Sequence, residues 1–207
     1  MNLPSARSIG LILIGGFVML VVGALVAPAG AYEGSISDRL AVINTNEGQW
    51  QLSKVFDALA VAFASVGMVL LALLNNRSQG AWLNSLGGVC FGAAGIVGLV
   101  FVYLLVTDPG PLYDRDAPAP LVVLFIALMA VGVLAFGIHF FRSDYPRWVA
   151  VLNVVVGAGV LTGLVAVLVS GAGPETAFGL AAAIYLGILG GGIVLLRHPE
   201  IGSSANT

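Results

Sequence analysis

Residues able to do chemistry are scarce within the apolar stretches of this sequence, and one carboxylate stands out. Asp57 is the only Asp or Glu that enters a long apolar run. An ionised group at mid-bilayer costs about 2.5–3.5 kcal/mol on insertion scales, so such a residue is a candidate for function. Two interpretations stay open. Asp57 pairs structurally with Lys54, three residues earlier, or it forms a proton or cation site at the mouth of a helix bundle.

Two amides also lie inside apolar runs. Asn84 and Asn153 are each about one helical turn from the start of a run. Buried amides in lipid usually hydrogen-bond to neighbouring helices, which is the favoured interpretation for both residues. The alternative is that they line a polar path together with Asp57.

Metal ligation is only weakly indicated. His139 and His198 are predicted at the same membrane face and could share a metal ion with Asp144 or Glu200, but ordinary interfacial contacts are favoured. Three loop carboxylates could bind Ca²⁺, yet their spacing is not that of an EF-hand. They are Asp108, Asp114 and Asp116. The sequence also has no His-Glu-x-x-His, Walker or Gly-x-Ser-x-Gly motif. We therefore predict a non-enzymatic protein without metal or cofactor.

The composition of the chain indicates the solvent that surrounds these residues. Of 207 residues, 59% are hydrophobic and 9% are charged, whereas a soluble domain carries about 25% charged residues. The net charge of −2 argues against nucleic acid as a partner. A lipid bilayer accepts an apolar exterior that water does not. The expected partner is therefore the bilayer.

Six apolar runs approach or exceed the roughly 20 residues that cross a bilayer. They lack the alternation of a β-barrel strand, so we predict an all-α polytopic transmembrane bundle forming one domain. The runs cover residues 9–28, 55–74, 81–106, 120–141, 148–170 and 177–196. The long loop 29–53 is predicted to carry a short surface helix from Ser37 to Asn44, with Ser37 as its N-cap.

Loop charges predict the orientation. Five basic residues are on one side, Arg7, Arg77, Arg142, Arg147 and Arg197, and three on the other, Arg39, Lys54 and Arg115. The positive-inside rule then places both termini in the cytoplasm of a cell-membrane protein. The first run has a second interpretation, because Ala29-Gly30-Ala31 resembles a signal-peptide cleavage site. Cleavage there would leave five spans.

Small residues recur at intervals of four in two of the runs. Such stripes let helices pack closely, either within the bundle or between copies in a homo-oligomer or with another membrane protein. One stripe is Asn84, Gly88 and Gly92, and the other is Gly179, Ala183, Gly187 and Gly191. A shift of 65 residues also superimposes the second and third runs on the fourth and fifth, for example Gly67 on Gly132. This match is compatible with either a parallel repeat or chance in a Gly- and Ala-rich chain.

One hairpin carries a family resemblance. Residues 141–148 read Phe-Arg-Ser-Asp-Tyr-Pro-Arg-Trp, which resembles the Arg-Ser-x-x-Pro-Arg turn of a bacterial and archaeal family of six-helix membrane proteins of unknown function. Segments 6–10 and 51–57 are also similar to that family. The resemblance implies a topology and no reaction.

Two functions follow as hypotheses. The first is a structural or regulatory membrane module that packs through its small-residue stripes. The alternative is a small transporter or channel component in which Asp57, Asn84 and Asn153 line a polar path.

Overall fold

The structure is a computed structural model that describes residues 4–75, 80–107, 119–170 and 174–201, and the side chains of these residues except 119 and 174–178. Within these ranges the chain forms helices and no strand. The helices are α1 Ala6–Val26, α2 Ile36–Thr45, α3 Glu47–Leu74, α4 Ala81–Thr107, α5 Ala119–Phe140, α6 Arg147–Ser170 and α7 Pro174–Arg197.

Six of the described helices, all but α2, are long and apolar enough to cross a membrane. Large apolar side chains point outward from them, including Leu25, Ile96 and Val169. Water would not solvate such a surface, whereas lipid tails do. The predicted all-α polytopic bundle is confirmed, and the chain is a multi-pass membrane protein.

The spanning helices form a closed ring. Each packs against its neighbour along the chain, and α7 returns to pack against α1. The two helices meet at Gly10 and Gly192, where a methyl group built on Gly10 would lie 2.8 Å from the Gly192 carbonyl oxygen. Glycine lets backbones approach this closely. Ring closure therefore depends on two glycines that lie outside the predicted stripes.

The two ends of the bundle differ in construction. The hairpin end contains the end of α3, the start of α4, the 141–146 connection, the start of α1 and the end of α7. There Tyr145 stacks on Phe140 at 4.2 Å and its hydroxyl accepts a hydrogen bond from Asn75 Nδ2. Burial raises the pKa of Tyr145 to about 12. The opposite end, called the loop end, contains the 27–35 segment and α2.

Helix α2 differs from its prediction at the N-terminus. Its cap is Ser35 and not Ser37, because the Ser35 hydroxyl accepts the Asp38 backbone N–H while the Asp38 carboxylate accepts the Ser35 N–H. This reciprocal pair satisfies two otherwise unpaired donors. Asn46 then ends α2 and begins α3.

Helix α3 begins eight residues before the apolar run that predicted it, at Glu47 rather than near Val55. The added turns are polar in sequence, so hydropathy alone does not reveal them. Trp50 and Ser53 on these turns are nevertheless buried. The extension places Lys54 and Asp57 about 10–15 Å from the helix start, at 1.5 Å per residue.

Candidate functional site

A partly buried ion pair lies on α3 near the loop end. Lys54 Nζ and Asp57 Oδ2 are 2.5 Å apart, so the predicted pairing of these residues is present. The Lys54 side chain is 3% exposed and that of Asp57 is 23% exposed. Lys54 is therefore not a loop charge, although the sequence places it next to a polar loop.

The Lys54 ammonium has partners in other directions as well. It donates a hydrogen bond to the Tyr32 hydroxyl at 2.9 Å. It also lies 4.3 Å from the Trp50 ring centroid, a cation–π geometry. An ammonium has three donors, and here two of them have oxygen acceptors while the charge also lies over an aromatic ring.

Backbone geometry brings Tyr32 to this position. The 27–35 segment contains Gly30 at φ 85° and Gly34 at φ 77°, two left-handed conformations that favour glycine. These two bends flank Tyr32, which contacts Lys54 and Trp50 of α3. Trp50 is held separately, because its Nε1 donates to the Leu105 carbonyl of α4 at 3.0 Å.

A cavity of about 340 Å³ lies beside the ion pair. This volume is at the lower end of the roughly 300–1,000 Å³ of small-molecule sites. Its walls are mostly apolar and come from α1, α3, α4, α5, α7 and the 27–35 segment. The lining residues are Leu20, Ala24, Tyr32, Trp50, Lys54, Asp57, Val61, Gly98, Phe101, Val102, Leu105, Phe125, Ala181, Ala182 and Tyr185.

Tyr185 on α7 adds a further polar group to the cavity wall. The residue is 2% exposed, and it lines the same cavity as Asp57. The part of the chain that the structure describes supplies no hydrogen bond to its hydroxyl. A hydroxyl without a partner in the wall of a mostly apolar cavity is suited to donate a hydrogen bond to a bound molecule.

Gly23 on α1 makes room for the carboxylate. A methyl group built on Gly23 would lie 2.6 Å from Asp57 Oδ1. The close approach of α1 at this point thus positions the acidic side chain. Sequence reasoning missed Gly23, Tyr32, Trp50 and Tyr185, since they carry no motif and two of them lie outside the predicted spans.

Asn84 and Asn153 lie at the other end of the bundle. Asn84 Nδ2 donates across to the Ala72 carbonyl of α3, and Asn153 Nδ2 donates to the carbonyls of Val149 and Gly187, on its own helix and on α7. Neither amide lines the cavity that Asp57 faces. The structure therefore does not bring the three residues of the predicted polar path together.

The two small-residue stripes have uneven contacts. A methyl group on Gly88 would lie 2.6 Å from Ala72 Cβ, and one on Gly187 would lie 3.0 Å from Asn153 Oδ1. Gly92 has only an ordinary contact, at 3.7 Å. The remaining members are Ala183, which packs on the core, and Gly179 and Gly191, where a methyl group would meet nothing within 4 Å.

The described residues contain no cluster of three metal-ligating side chains. His139 is buried in α5, and the exposed His198 pairs with Glu200 at 3.1 Å. The loop carboxylates considered for Ca²⁺, Asp108, Asp114 and Asp116, lie outside the described residues, as does Arg77.

Comparison of the chain with protein-family models, with curated proteins and with solved structures found no match.

Proposed function

We propose that this chain is a non-enzymatic membrane module that binds a small, mostly apolar molecule inside its helix bundle. One observation carries the proposal. A cavity of about 340 Å³ within the ring has a partly buried ion pair and an unpartnered tyrosine hydroxyl in a mostly apolar wall. Concave, apolar sites with a few convergent polar groups are typical of ligand-binding pockets.

The position of the ion pair supports binding over a purely structural role. An ion pair that serves packing alone is best enclosed by protein on all sides, because desolvation is repaid only by close partners. Here the Asp57 side chain is 23% exposed although it lies well inside α3. A ligand in the cavity would cover the carboxylate and complete its surroundings.

We place the module in the cell membrane with both termini in the cytoplasm. Burial of Lys54 supports this orientation, because a lysine inside the bundle does not count as a loop charge. The basic residues that remain in loops and tails are then five against two. The cavity would open toward the outer side. Membership of the six-helix family suggested by residues 141–148 and assembly with other copies stay predictions.

A transporter or channel component is the second candidate, and the exposure of Asp57 to the cavity favours it. In that case the cavity is one binding position along a transport pathway, and Asp57→Asn removes the charge that the pathway requires. If transport is the function, we expect this variant to lose proton or cation flux in reconstituted vesicles. Retained flux would exclude a transport role for the carboxylate.

Filling the cavity tests the binding proposal. Ala181→Phe places a ring where the lining has a methyl group, whereas Val165→Phe adds a comparable ring at a lipid-facing position of α6. Native mass spectrometry of protein extracted directly from membranes should show a small co-purifying molecule in the wild type and in Val165→Phe, and not in Ala181→Phe. Equal ligand content in all three proteins would overturn the proposal.

A further inference from the structure

We infer that the bound molecule is electrically neutral and carries a hydroxyl or carbonyl oxygen that accepts a hydrogen bond from Tyr185. This inference rests on the proposed function and names the ligand class. The molecule would be a lipid-soluble alcohol, ketone or quinone-like compound. Three properties of the cavity lead to this class.

The first property is charge balance. Lys54 and Asp57 are the only charged residues among the described lining residues, and they pair with each other. A cationic or anionic head group would therefore add an uncompensated charge to a low-dielectric site. A neutral head group avoids that cost.

The second property is that the cation is already occupied. Lys54 Nζ is engaged by Asp57, by the Tyr32 hydroxyl and by the face of Trp50. An anionic head group would have to displace one of these partners. The charge of the Asp57 carboxylate is in turn balanced by Lys54, which weakens its attraction for a second cation.

The third property is the available donor. Tyr185 is 2% exposed and lines the cavity, and its hydroxyl lacks a partner among the described residues. An oxygen acceptor on the ligand would satisfy it. The remaining wall is aliphatic and aromatic, including Phe101 and Phe125, and suits a hydrocarbon chain or ring.

Tryptophan quenching distinguishes the head groups. Trp82→Phe with Trp148→Phe replaces two exposed tryptophans and leaves Trp50, which lines the cavity, as the single reporter. The protein is placed in phosphatidylcholine nanodiscs. The probes are bromoalkanes of one chain length that end in a hydroxyl, a sulfate, a trimethylammonium group or hydrogen, compared at equal membrane mole fraction.

We expect the bromoalkyl alcohol to quench Trp50 at a concentration at least tenfold lower than either charged probe. Equal quenching by the alcohol, the sulfate and the ammonium probe would overturn the inference while leaving an apolar binding cavity. No quenching of Trp50 by any probe, including the plain bromoalkane, would overturn the proposed function itself.

Tyr185→Phe tests the hydrogen bond separately. Removing one neutral hydrogen bond should weaken quenching by the alcohol about two- to tenfold and leave the plain bromoalkane unchanged. Asn153→Leu is the matched control, since this buried polar residue lies outside the cavity. An alcohol response unchanged by Tyr185→Phe, or weakened equally by Asn153→Leu, would overturn the assignment.

Discussion

The loop end and the hairpin end of the bundle both bury polar side chains, with different consequences. At the hairpin end, Asn84 and Asn153 are buried and donate to backbone carbonyls of their own and adjacent helices. At the loop end, Lys54 and Asp57 pair with each other beside a cavity of about 340 Å³. The amides connect helices, whereas the ion pair borders a space that can be filled.

This difference shows that burial of a polar residue does not identify a site in a membrane protein. Interhelical hydrogen bonds in bilayers contribute only about 0.6 kcal/mol on average, so amides such as Asn84 are ordinary packing elements. Asp57 differs from these amides because it lines a cavity, together with Tyr185. Whether a polar residue lines a cavity is more informative about function than how deeply the residue is buried.

The largest effect should come from splitting the ion pair. Asp57→Ala leaves the Lys54 ammonium buried without its counter-ion, and we expect a loss of about 3–5 kcal/mol in the free energy of unfolding. SDS-titration unfolding in mixed micelles measures this difference. Lys54→Met combined with Asp57→Leu removes both charges and should recover most of the loss.

The double substitution also tests whether the ion pair serves ligand binding as well as stability. If the pair served stability alone, the double variant would match the wild type in ligand content as well as in stability. We expect stability without the native ligand, since the polar wall of the cavity is altered. A double variant as unstable as Asp57→Ala would contradict the ion-pair account.

A smaller loss in the free energy of unfolding should follow from crowding the hairpin end. In Gly10→Ala the new methyl group meets the Gly192 carbonyl oxygen at 2.8 Å, and a backbone atom cannot move aside cheaply. We expect a loss of about 1–3 kcal/mol, typical of overpacking. Gly191→Ala is the matched control on α7, because a methyl group there meets nothing within 4 Å. Equal stability of the two variants would show that α1 does not depend on this crossing.

Hydropathy predicted the spanning helices well because solvent preference is summed over about 20 residues and tolerates local exceptions. It failed at the start of α3, where Glu47 to Lys54 is polar in sequence. There the 27–35 segment and α4 bury Trp50 and Lys54, a tertiary effect that no window average contains.

The candidate site was only partly predictable for the same reason. Asp57 and its pairing with Lys54 follow from charge scarcity and helical spacing. Tyr32, Tyr185 and Gly23 approach the ion pair or its cavity from a loop and two other helices, and their positions depend on how α1 and α7 close the ring. Regular spacing was a weaker guide, because Gly191 continues the stripe yet makes no close contact while Gly192 does.

The smallest expected effect is a local one at the loop end, driven by acid. Hydrogen bonds from the Ser35 hydroxyl and backbone N–H lower the pKa of Asp38 from its ordinary value of 3.8. A depressed folded pKa means that the cap contributes fully above the unfolded pKa and is lost as pH falls through the folded value. We expect amide exchange in α2, corrected for intrinsic rates, to accelerate below about pH 4, while protected amides of α5 at the hairpin end stay unchanged. Ser35→Ala should show the faster α2 exchange already at neutral pH. Equal acceleration at both ends would mean that acid loosens the whole bundle and not this cap.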